Sequence, residues 1–350
     1  MARLYAIFLI HCPKNFSVIQ MARFGLELVP DTSIDKLTSY AVSAEDAGFD
    51  NIWVTDHYNN HNVYIVLEAM AASTDTVKMG PGITNPYLVH PAWTASAIAS
   101  LNEASNGRAI LGLGPGDKMT LDVLGIDRDR PLGKVREATE VIRKLLRERR
   151  VTYEGDHFKL TGASLRNRPE GDIPIYLGAQ GPKMLELASS LGDGILINAS
   201  HPRDFEYAFN YIEKGATSAN RDIANIDVAA YTCISIDHDV NNAKKKALPV
   251  VAFIVAGSPK QVLSRHEIPD GNVAKVVNAM AAGDFSGAFN SVTDEMIDAF
   301  AIVGTPADCA ARIEKLLDTG VTQFVVGSPI GPKKSAAIKL FAEEVIPQFK

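Results

Sequence analysis

The sequence predicts an α/β protein with the architecture of a (β/α)8 TIM barrel. Short apolar segments of strand character alternate with segments of helical periodicity, and this pair repeats eight times along the chain. The strands are continuously apolar, which is typical of parallel strands that are buried on both faces. Helical segments separate the strands, as the crossover between parallel strands requires. A doubly wound open sheet is the alternative, but no strand is followed by the G-x-G-x-x-G fingerprint of dinucleotide-binding sheets.

Each predicted strand is a short apolar run bounded by Gly, Pro, Asp or Asn. The helix after the first strand places Ile34, Leu37, Ala41 and Ala44 on one face and ends at Gly48. In chain order the strands are predicted at residues 24–29, 51–55, 77–83, 108–113, 173–177, 194–198, 227–236 and 321–326. The helices that follow the first four strands are predicted at 34–47, 63–73, 92–104 and 131–149.

Two segments do not fit the repeat and are predicted to be insertions. Residues 151–160 alternate about Gly155-Asp156, which is the signature of a β-hairpin rather than of another helix. Residues 241–317, before the last strand, carry a mostly helical pattern. The barrel is therefore expected to have a hairpin insertion near 151–160 and a helical insertion before the eighth strand.

The composition narrows the possible classes of protein. The chain has 350 residues, and a barrel of this type commonly takes roughly 250 residues and more with insertions, so one catalytic domain over 21–350 is expected. A net charge of -6 leaves no basic excess for nucleic acid. Cys12, Cys233 and Cys309 are odd in number and far apart, which suits neither disulfides nor zinc and indicates a reducing, cytoplasmic location.

The first twenty residues differ from the rest of the chain. Their apolar run, 4–10, is shorter than the roughly 20 residues of a membrane span and is interrupted by His11 to Lys14. Met21 stands directly before the first good strand. We therefore expect residues 1–20 to be an N-terminal extension, either a loose tail or a mis-assigned start, and we expect no membrane partner.

Polar and glycine-rich groups collect where the predicted strands end. In a parallel barrel these ends share one face, and active sites are built there. Any single loop of this composition is an ordinary turn, but their joint occurrence predicts an active site. The candidates, in chain order, are Glu27, Asp56, His57, Asn59, Asn60, Thr84, Asn85, Gly114, Pro115, Gly116, Asp117, Gly178, Ala179, Gln180, Gly181, Pro182, Lys183, the loop 198–200, Tyr231 and the loop 327–332.

Three of these groups suggest a chemical role. Glu27 is a carboxylate inside an apolar strand, where burial raises the pKa towards that of a general acid, although an internal ion pair is the alternative. The glycines of residues 112–116 leave one edge of a turn bare, so that a flat or phosphorylated ligand could approach the backbone beside Asp117. Residues 178–183 lead into a helix N-terminus, which favours a phosphate group over a plain turn.

Metal and hydrolase chemistry find little support in the sequence. Asp56 and His57 are adjacent, but no third ligand at metal-binding spacing accompanies them, so no metal is expected. The G-x-S-x-G elbow of serine hydrolases is missing from the chain. His57 is instead interpreted as a hydrogen-bonding wall of the site.

Seven segments together resemble one enzyme family. They match, in register from about Met21 to the C-terminus, the coenzyme F420-dependent methylenetetrahydromethanopterin reductases of methanogenic and related archaea, which belong to the bacterial luciferase-like superfamily of barrels. Any one of them alone would indicate only the superfamily. The segments are residues 27–30, 55–60, 80–86, 112–118, 178–182, 227–233 and 327–332.

The resemblance implies a deazaflavin cofactor, coenzyme F420, at the mouth of the barrel, backed by a cis peptide bond between Gly82 and Ile83. The residues implied to line its ring and side chain are Asp56, Gly82, Ile83, Thr84, Asn85, Gly114, Pro115 and Gly116. The residues implied to hold its phosphate and tail are Gly178, Ala179, Gln180, Gly181 and Pro182. The residues implied to contact the substrate are His57, Asn59, Asn60 and Tyr231.

The implied reaction belongs to one-carbon metabolism, in methanogenesis or its reverse. Hydride passes reversibly from reduced F420 to methylenetetrahydromethanopterin, or to its tetrahydrosarcinapterin relative, without a metal. Glu27 is the first candidate for the acid that protonates the leaving nitrogen, and Asp117 the second. A homo-oligomer, dimer or tetramer, is expected with help from the helical insertion. The alternatives are another luciferase-like enzyme that uses F420 or flavin mononucleotide on an alcohol, sugar phosphate or aldehyde, and a barrel that binds a cofactor without turnover.

Overall fold

The structure is a computed structural model that describes residues 22–350. Its strands, in chain order, are β1 Arg23–Leu28, β2 Asn51–Val54, β3 Lys78–Pro81, β4 Leu111–Leu113, β5 Val151–Glu154, β6 Lys159–Ala163, β7 Ile175–Gly178, β8 Gly194–Asn198, β9 Asp227–Tyr231, β10 Ile234–Ile236, β11 Ile302–Gly304 and β12 Gln323–Val326. The extension predicted at residues 1–20 lies outside the described residues, and the division of the chain at Met21 stays a prediction.

Fourteen α-helices connect or follow the strands in the described part of the chain. They are α1 Ile34–Asp46, α2 Val63–Ala71, α3 Pro91–Ala104, α4 Lys118–Val123, α5 Pro131–Arg147, α6 Pro182–Leu191, α7 Pro202–Ser218, α8 Val240–Gly257, α9 Lys260–Arg265, α10 Asp270–Ala281, α11 Phe285–Asn290, α12 Asp294–Phe300, α13 Pro306–Leu317 and α14 Lys334–Leu340. Over residues 22–350, none of the helices is both long enough and apolar enough to span a membrane.

Eight of the strands form one parallel sheet, in the order β3-β2-β1-β12-β9-β8-β7-β4. Backbone hydrogen bonds join its two end strands. Near the start of β3, the amide of Ile110 donates to the carbonyl of Met79 at 3.0 Å. After β3, the amide of Gly114 donates to the carbonyl of Thr84, also at 3.0 Å. The sheet therefore closes into the predicted (β/α)8 barrel.

Strand alternation divides the apolar residues into two layers. On β1, the side chains of Phe24, Leu26 and Leu28 face outwards and belong to the large cluster under the helices. The barrel interior is a separate and smaller cluster. Its buried members are Trp53, Ile110, Tyr176, Leu196, Ala229 and Val325.

A buried polar network joins strands at the opposite end of the barrel from the mouth. Asp227 at the start of β9 accepts hydrogen bonds from Tyr176 at 2.7 Å and from the amide group of Gln323 at 2.8 Å, and it pairs with Arg23 at 2.7 Å. Gln323 in turn accepts from the indole N–H of Trp53 at 2.9 Å. Because each of these buried polar groups has a partner, the network holds five strands, β1, β2, β7, β9 and β12, in register.

The hairpin insertion is confirmed, since β5 and β6 pair antiparallel. The prediction of a single seventh strand over 227–236 is wrong. The chain leaves the barrel after Tyr231, and β10 pairs instead with β11 in a separate two-stranded sheet. The insertion before the last strand is thus not purely helical. Both halves of 227–236 are apolar, so hydrophobicity could not show that the chain leaves one sheet and joins another.

Candidate active site

Glu27 lies at the mouth of the barrel and points inwards. A Cβ added at Gly25, two residues earlier on β1, would meet Val325 and Trp53 of the interior cluster. By strand alternation Glu27 shares that face, one pleat closer to the C-terminal ends of the strands. Its side chain is buried, with 9% of the residue exposed. The predicted position of Glu27 is confirmed.

The surroundings of Glu27 favour its neutral form. Burial is the largest influence and raises the pKa of this carboxyl. The N–H of Ser328, which donates to Glu27 Oε2 at 2.6 Å, and the charge of Lys334 act in the opposite direction without cancelling it. Lys334 pairs with Asp31 at 3.6 Å, and over the described residues Glu27 forms no ion pair. The alternative reading of Glu27 as an internal ion pair is therefore wrong.

The cis peptide bond implied at Gly82-Ile83 is present. A Cβ at Gly82 would come within 2.8 Å of Trp53 and 3.1 Å of the Tyr231 hydroxyl, so the position has no room for a side chain. The Tyr231 hydroxyl donates to the carbonyl of Gly82 at 3.0 Å. Tyr231 thus supports the cis peptide from across the barrel mouth, and burial followed by the nearby Glu27 raises its pKa well above the usual value.

Packing inside the protein explains the glycines near the ends of β4 and β7. A Cβ at Gly114 would lie 2.2 Å from Cδ1 of Ile83, and a Cβ at Gly178 would lie 2.7 Å from the same atom. Ile83 therefore occupies the space that a side chain at Gly114 or Gly178 would need. Gly116 adopts a φ of 71° and packs against Asn85, whose own Oδ1 accepts from the amides of Tyr87 and Leu88 at 3.1 Å each.

Asp56 and its neighbours form a second polar group at the mouth. Burial raises the pKa of Asp56, while a hydrogen bond from Thr84 and the charge of His57 lower it by less. Two buried hydroxyl oxygens nearby, of Thr55 and Tyr64, have no partner in the described part of the chain. Unpartnered buried hydroxyls at the mouth suit a site that gains hydrogen bonds when a polar ring system binds.

Asp117 is placed as a helix cap and not as a buried acid. It is the N-cap of α4, and its carboxylate accepts from the amide of Thr120 at 2.8 Å and from its hydroxyl at 2.7 Å. Although partial burial opposes the change, these hydrogen bonds together lower its pKa. His57 lies between Asp56 and Asp117 and interacts with the charge of both. Asp117 is exposed, and so is Asn59, while Asn60 is half-buried.

The loop after β7 leads into the N-terminus of α6, as predicted. Gly181 caps the helix without a side-chain hydrogen bond, and Pro182 occupies its first turn. A side chain added at Gly181 would meet no atom within 4 Å, so the loop is open on this side. Gln180 extends towards β8 and donates to the carbonyl of Asn198 at 2.9 Å.

A cleft of about 260 Å³ opens beside this loop. One wall comes from the barrel, with Asp117, Gln180, Asn198 and Ser200, and the other from the helical insertion. The insertion contributes Phe253, whose ring is half exposed, and Gly257. Neither residue was predicted for the site, because neither belongs to a strand end; Gly257, followed by Ser258 and Pro259, indicates only the end of a helix.

Metal ligands are not grouped in the described residues. Over 22–350, no cluster of three or more His, Cys, Asp or Glu side chains could hold a metal ion. The mouth carries the buried carboxyl group of Glu27, the half-buried one of Asp56, several hydroxyls and backbone N–H groups.

Comparisons with known proteins agree with this architecture. A family model described as luciferase-like monooxygenase matches residues 15–323. The chain is 54% identical over 324 residues to the 5,10-methylenetetrahydromethanopterin reductase of Methanolobus tindarius, an alignment that covers 92% of this chain and 99% of that protein. An F420-dependent glucose-6-phosphate dehydrogenase of Kineococcus radiotolerans is 28% identical over 327 residues, which are 89% of this chain and 92% of that protein.

A solved structure is similar over nearly the same length. The coenzyme F420-dependent tetrahydromethanopterin reductase from Methanopyrus kandleri superposes with a TM-score of 0.91 at 47% sequence identity, and the match covers 94% of this chain and 99% of that one.

Proposed function

The chain belongs to the luciferase-like monooxygenase family and, within it, to the 5,10-methylenetetrahydromethanopterin reductases, and from this membership we infer that it transfers hydride from reduced coenzyme F420 to methylenetetrahydromethanopterin. The product is methyltetrahydromethanopterin, and the reaction is reversible. One structural observation supports this function above the others. A buried carboxyl group with a raised pKa, Glu27, stands at the mouth of the barrel, near Tyr231.

The residues at the mouth fit F420. The unpartnered hydroxyls of Thr55 and Tyr64 supply hydrogen-bonding capacity, and the open side of Gly181 leaves room beside the α6 N-terminus. Bound reduced F420 supplies the hydride. The proposed ring and side-chain contacts are Asp56, Gly82, Ile83, Thr84, Asn85, Gly114, Pro115 and Gly116, and the proposed phosphate and tail contacts are Gly178, Ala179, Gln180, Gly181 and Pro182.

Glu27 provides the acid for the substrate. Opening the methylene bridge breaks one carbon–nitrogen bond, and the leaving nitrogen takes a proton, while the remaining iminium carbon accepts the hydride. Because burial raises its pKa, Glu27 carries that proton at a pH where an exposed carboxyl group has lost it. The N–H of Ser328 fixes the carboxyl group and stabilises the carboxylate that remains after proton transfer. Asp117, whose pKa is lowered, is the weaker candidate.

The neighbours of Glu27 at the end of β9 and directly after it keep water away from this step. Tyr231 contacts the cis peptide, and Cys233 is buried with its pKa raised by burial and by Glu27. Proposed substrate contacts at the rim are His57, Asn59, Asn60 and Tyr231. None of these steps requires a metal, and a metal-independent reaction is part of the proposal.

The test is anaerobic oxidation of reduced F420 with and without methylenetetrahydromethanopterin, followed by visible absorbance. Glu27→Gln keeps the size and hydrogen-bonding geometry of the side chain but cannot donate the proton, so the rate should fall by roughly 10²-fold or more. Asp117→Asn is the matched control, since it makes the same chemical change at the other carboxyl group, and it should lose far less activity. If the wild-type protein does not oxidise reduced F420 in the presence of the substrate, the proposed function is wrong.

The alternative of F420 chemistry on a sugar phosphate is less well supported. The relative with that name is 28% identical to this chain, against 54% for the reductase.

A cytoplasmic location and a homo-oligomer, dimer or tetramer, complete the proposal. The buried thiols of Cys233 and Cys309 support the first. The apolar side chain of Phe285, 50% exposed on the helical insertion, supports the second.

A further inference from the structure

The cleft between the barrel and the helical insertion has walls of two kinds. Apolar side chains of the insertion, Phe253, Ile254, Val262 and Phe300, form one side. Neutral polar groups at the ends of β7 and β8, which include Gln180 and Asn198, form the other. A volume of about 260 Å³ is below the range of roughly 300–1,000 Å³ for complete ligands, so the cleft fits one part of a larger molecule.

The charges of the cleft disfavour an anion. In the described part of the chain, Arg265 is the one Lys or Arg that lines the cleft. Its guanidinium donates to Asp204 at 2.5 Å and stacks on the ring of Tyr207 at 3.8 Å, so its charge is already compensated. Asp204 is paired with Arg265 and His266, and Asp117 adds one further carboxyl group to the same walls. Within residues 22–350, a phosphate or carboxylate tail would find no unpaired Lys or Arg side chain in the lining and would meet the carboxylate of Asp117.

The inner end of the cleft approaches the proposed acid. Ser200 lines the cleft, and its hydroxyl accepts from the amide of Cys233 at 2.9 Å. A Cβ added at Gly327 would lie 2.8 Å from Glu27 Oε2 and 1.9 Å from the carbonyl oxygen of Thr232, so the residue before Cys233 lies beside Glu27. A ligand that extends from the mouth into the cleft therefore keeps its reacting end near Glu27.

We propose that this cleft receives an uncharged ring portion of the pterin substrate, while the anionic tail of the cofactor stays outside the cleft, along the backbone of residues 178–182. The inference rests on the proposed function. It assigns a specificity role to the insertion, whose Phe253 offers a half-exposed aromatic face to a flat ring and whose Gly257 leaves space for it.

Gly257 allows a steric test, because a side chain added there meets no protein atom within 4 Å. Its φ is not in the left-handed region, so other residues fit its place in α8. Gly257→Ala and Gly257→Leu should fold normally and fill the cleft progressively. The expected result is a KM for methylenetetrahydromethanopterin that rises with side-chain size, by about tenfold or more for Leu, the scale of steric discrimination in apolar pockets. The Kd of F420, measured by deazaflavin fluorescence, should not change.

Gly271→Leu is the matched control. Gly271 is also a helical glycine of the insertion with no atom within 4 Å of an added Cβ, but it does not line the cleft. The Gly271→Leu variant should keep the wild-type KM for methylenetetrahydromethanopterin and the wild-type Kd of F420. An unchanged KM in Gly257→Leu, or a raised Kd for F420, would overturn the proposal, and the second result would place the cofactor tail in the cleft. A wild-type protein without substrate-dependent oxidation of F420 would instead overturn the proposed function, and this inference with it.

Discussion

The two candidate acids at the mouth of the barrel, Glu27 and Asp117, differ in how deeply their carboxyl groups are buried. Glu27 and Asp117 are both carboxyl groups at the same end of the barrel, but burial raises the pKa of the first and the capping of α4 lowers that of the second. A general acid must carry its proton at the working pH, so the same chemical group has opposite suitability at the two positions. Glu27 is therefore the residue whose titration should control the reaction.

The pH dependence of the wild-type enzyme follows from the raised pKa of Glu27. Its protonated form is the active one, so kcat/KM for substrate reduction should be constant below that pKa and fall about tenfold per pH unit above it. The inflection should lie above the ordinary value of 4.5 for a glutamate. The measurement is the initial rate of F420 oxidation across the pH range. In Glu27→Gln this alkaline limb should disappear, and its persistence would assign the titration to another group.

At the level of structural elements, the loops that follow β3 and β4 pack closely against each other. Ile83 follows β3 and rests over Gly114 and Gly178, so the glycines are required by the packing of two neighbouring loops. The closure of the barrel depends on the same place, because the amide of Gly114 donates to the carbonyl of Thr84 and the amide of Thr84 donates to the carbonyl of Gly112. A side chain at 114 should therefore disturb both the loop and the closure.

Gly114→Ala should destabilise the protein by roughly 1–3 kcal/mol, the usual cost of overpacking, because the new Cβ would lie 2.2 Å from Cδ1 of Ile83. Ile83→Val removes that atom. The double variant should recover most of the lost stability, since the other neighbours of the added Cβ are 3.6 Å away. Urea unfolding of the wild type, both single variants and the double variant gives the coupling energy. Simple additivity of the two changes would contradict the proposed contact.

At the scale of the whole molecule, the two ends of the barrel have separate tasks. The mouth carries the groups proposed for catalysis, whereas the opposite end carries the network of Arg23, Tyr176, Asp227 and Gln323. In barrels of this type the end opposite the active site contributes to stability rather than to chemistry.

Asp227→Ala should therefore lower stability and spare the reaction. The substitution leaves Tyr176 and Gln323, both buried, without their acceptor, and the expected loss is about 3–5 kcal/mol. The kcat of the protein that remains folded should equal the wild-type value. Asp172→Ala is the reference, because its ion pair with Arg147 at 2.8 Å is exposed, and such pairs contribute at most about 1 kcal/mol. Equal losses of stability in the two variants would mean that the buried network stabilises the protein no more than an exposed ion pair does.

The sequence by itself determined the barrel, the hairpin insertion and the positions of the polar strand ends, because hydrophobic periodicity and turn residues are local properties of the chain. It also placed Glu27 on an inward face, since alternation along one short strand is enough for that. The family resemblance located the cis peptide at Gly82-Ile83.

Only the tertiary structure decided which neighbours these residues have. The path of the chain at Thr232 and Cys233 depends on the partner strand β11, some seventy residues away in sequence, and no local pattern contains that information. The glycines of the fourth loop make room for Ile83, and Asp117 caps a helix, because of contacts between loops that meet only when the barrel closes. The cleft exists because the insertion folds back over β7 and β8, so its lining combines residues whose separation along the chain hides their common role.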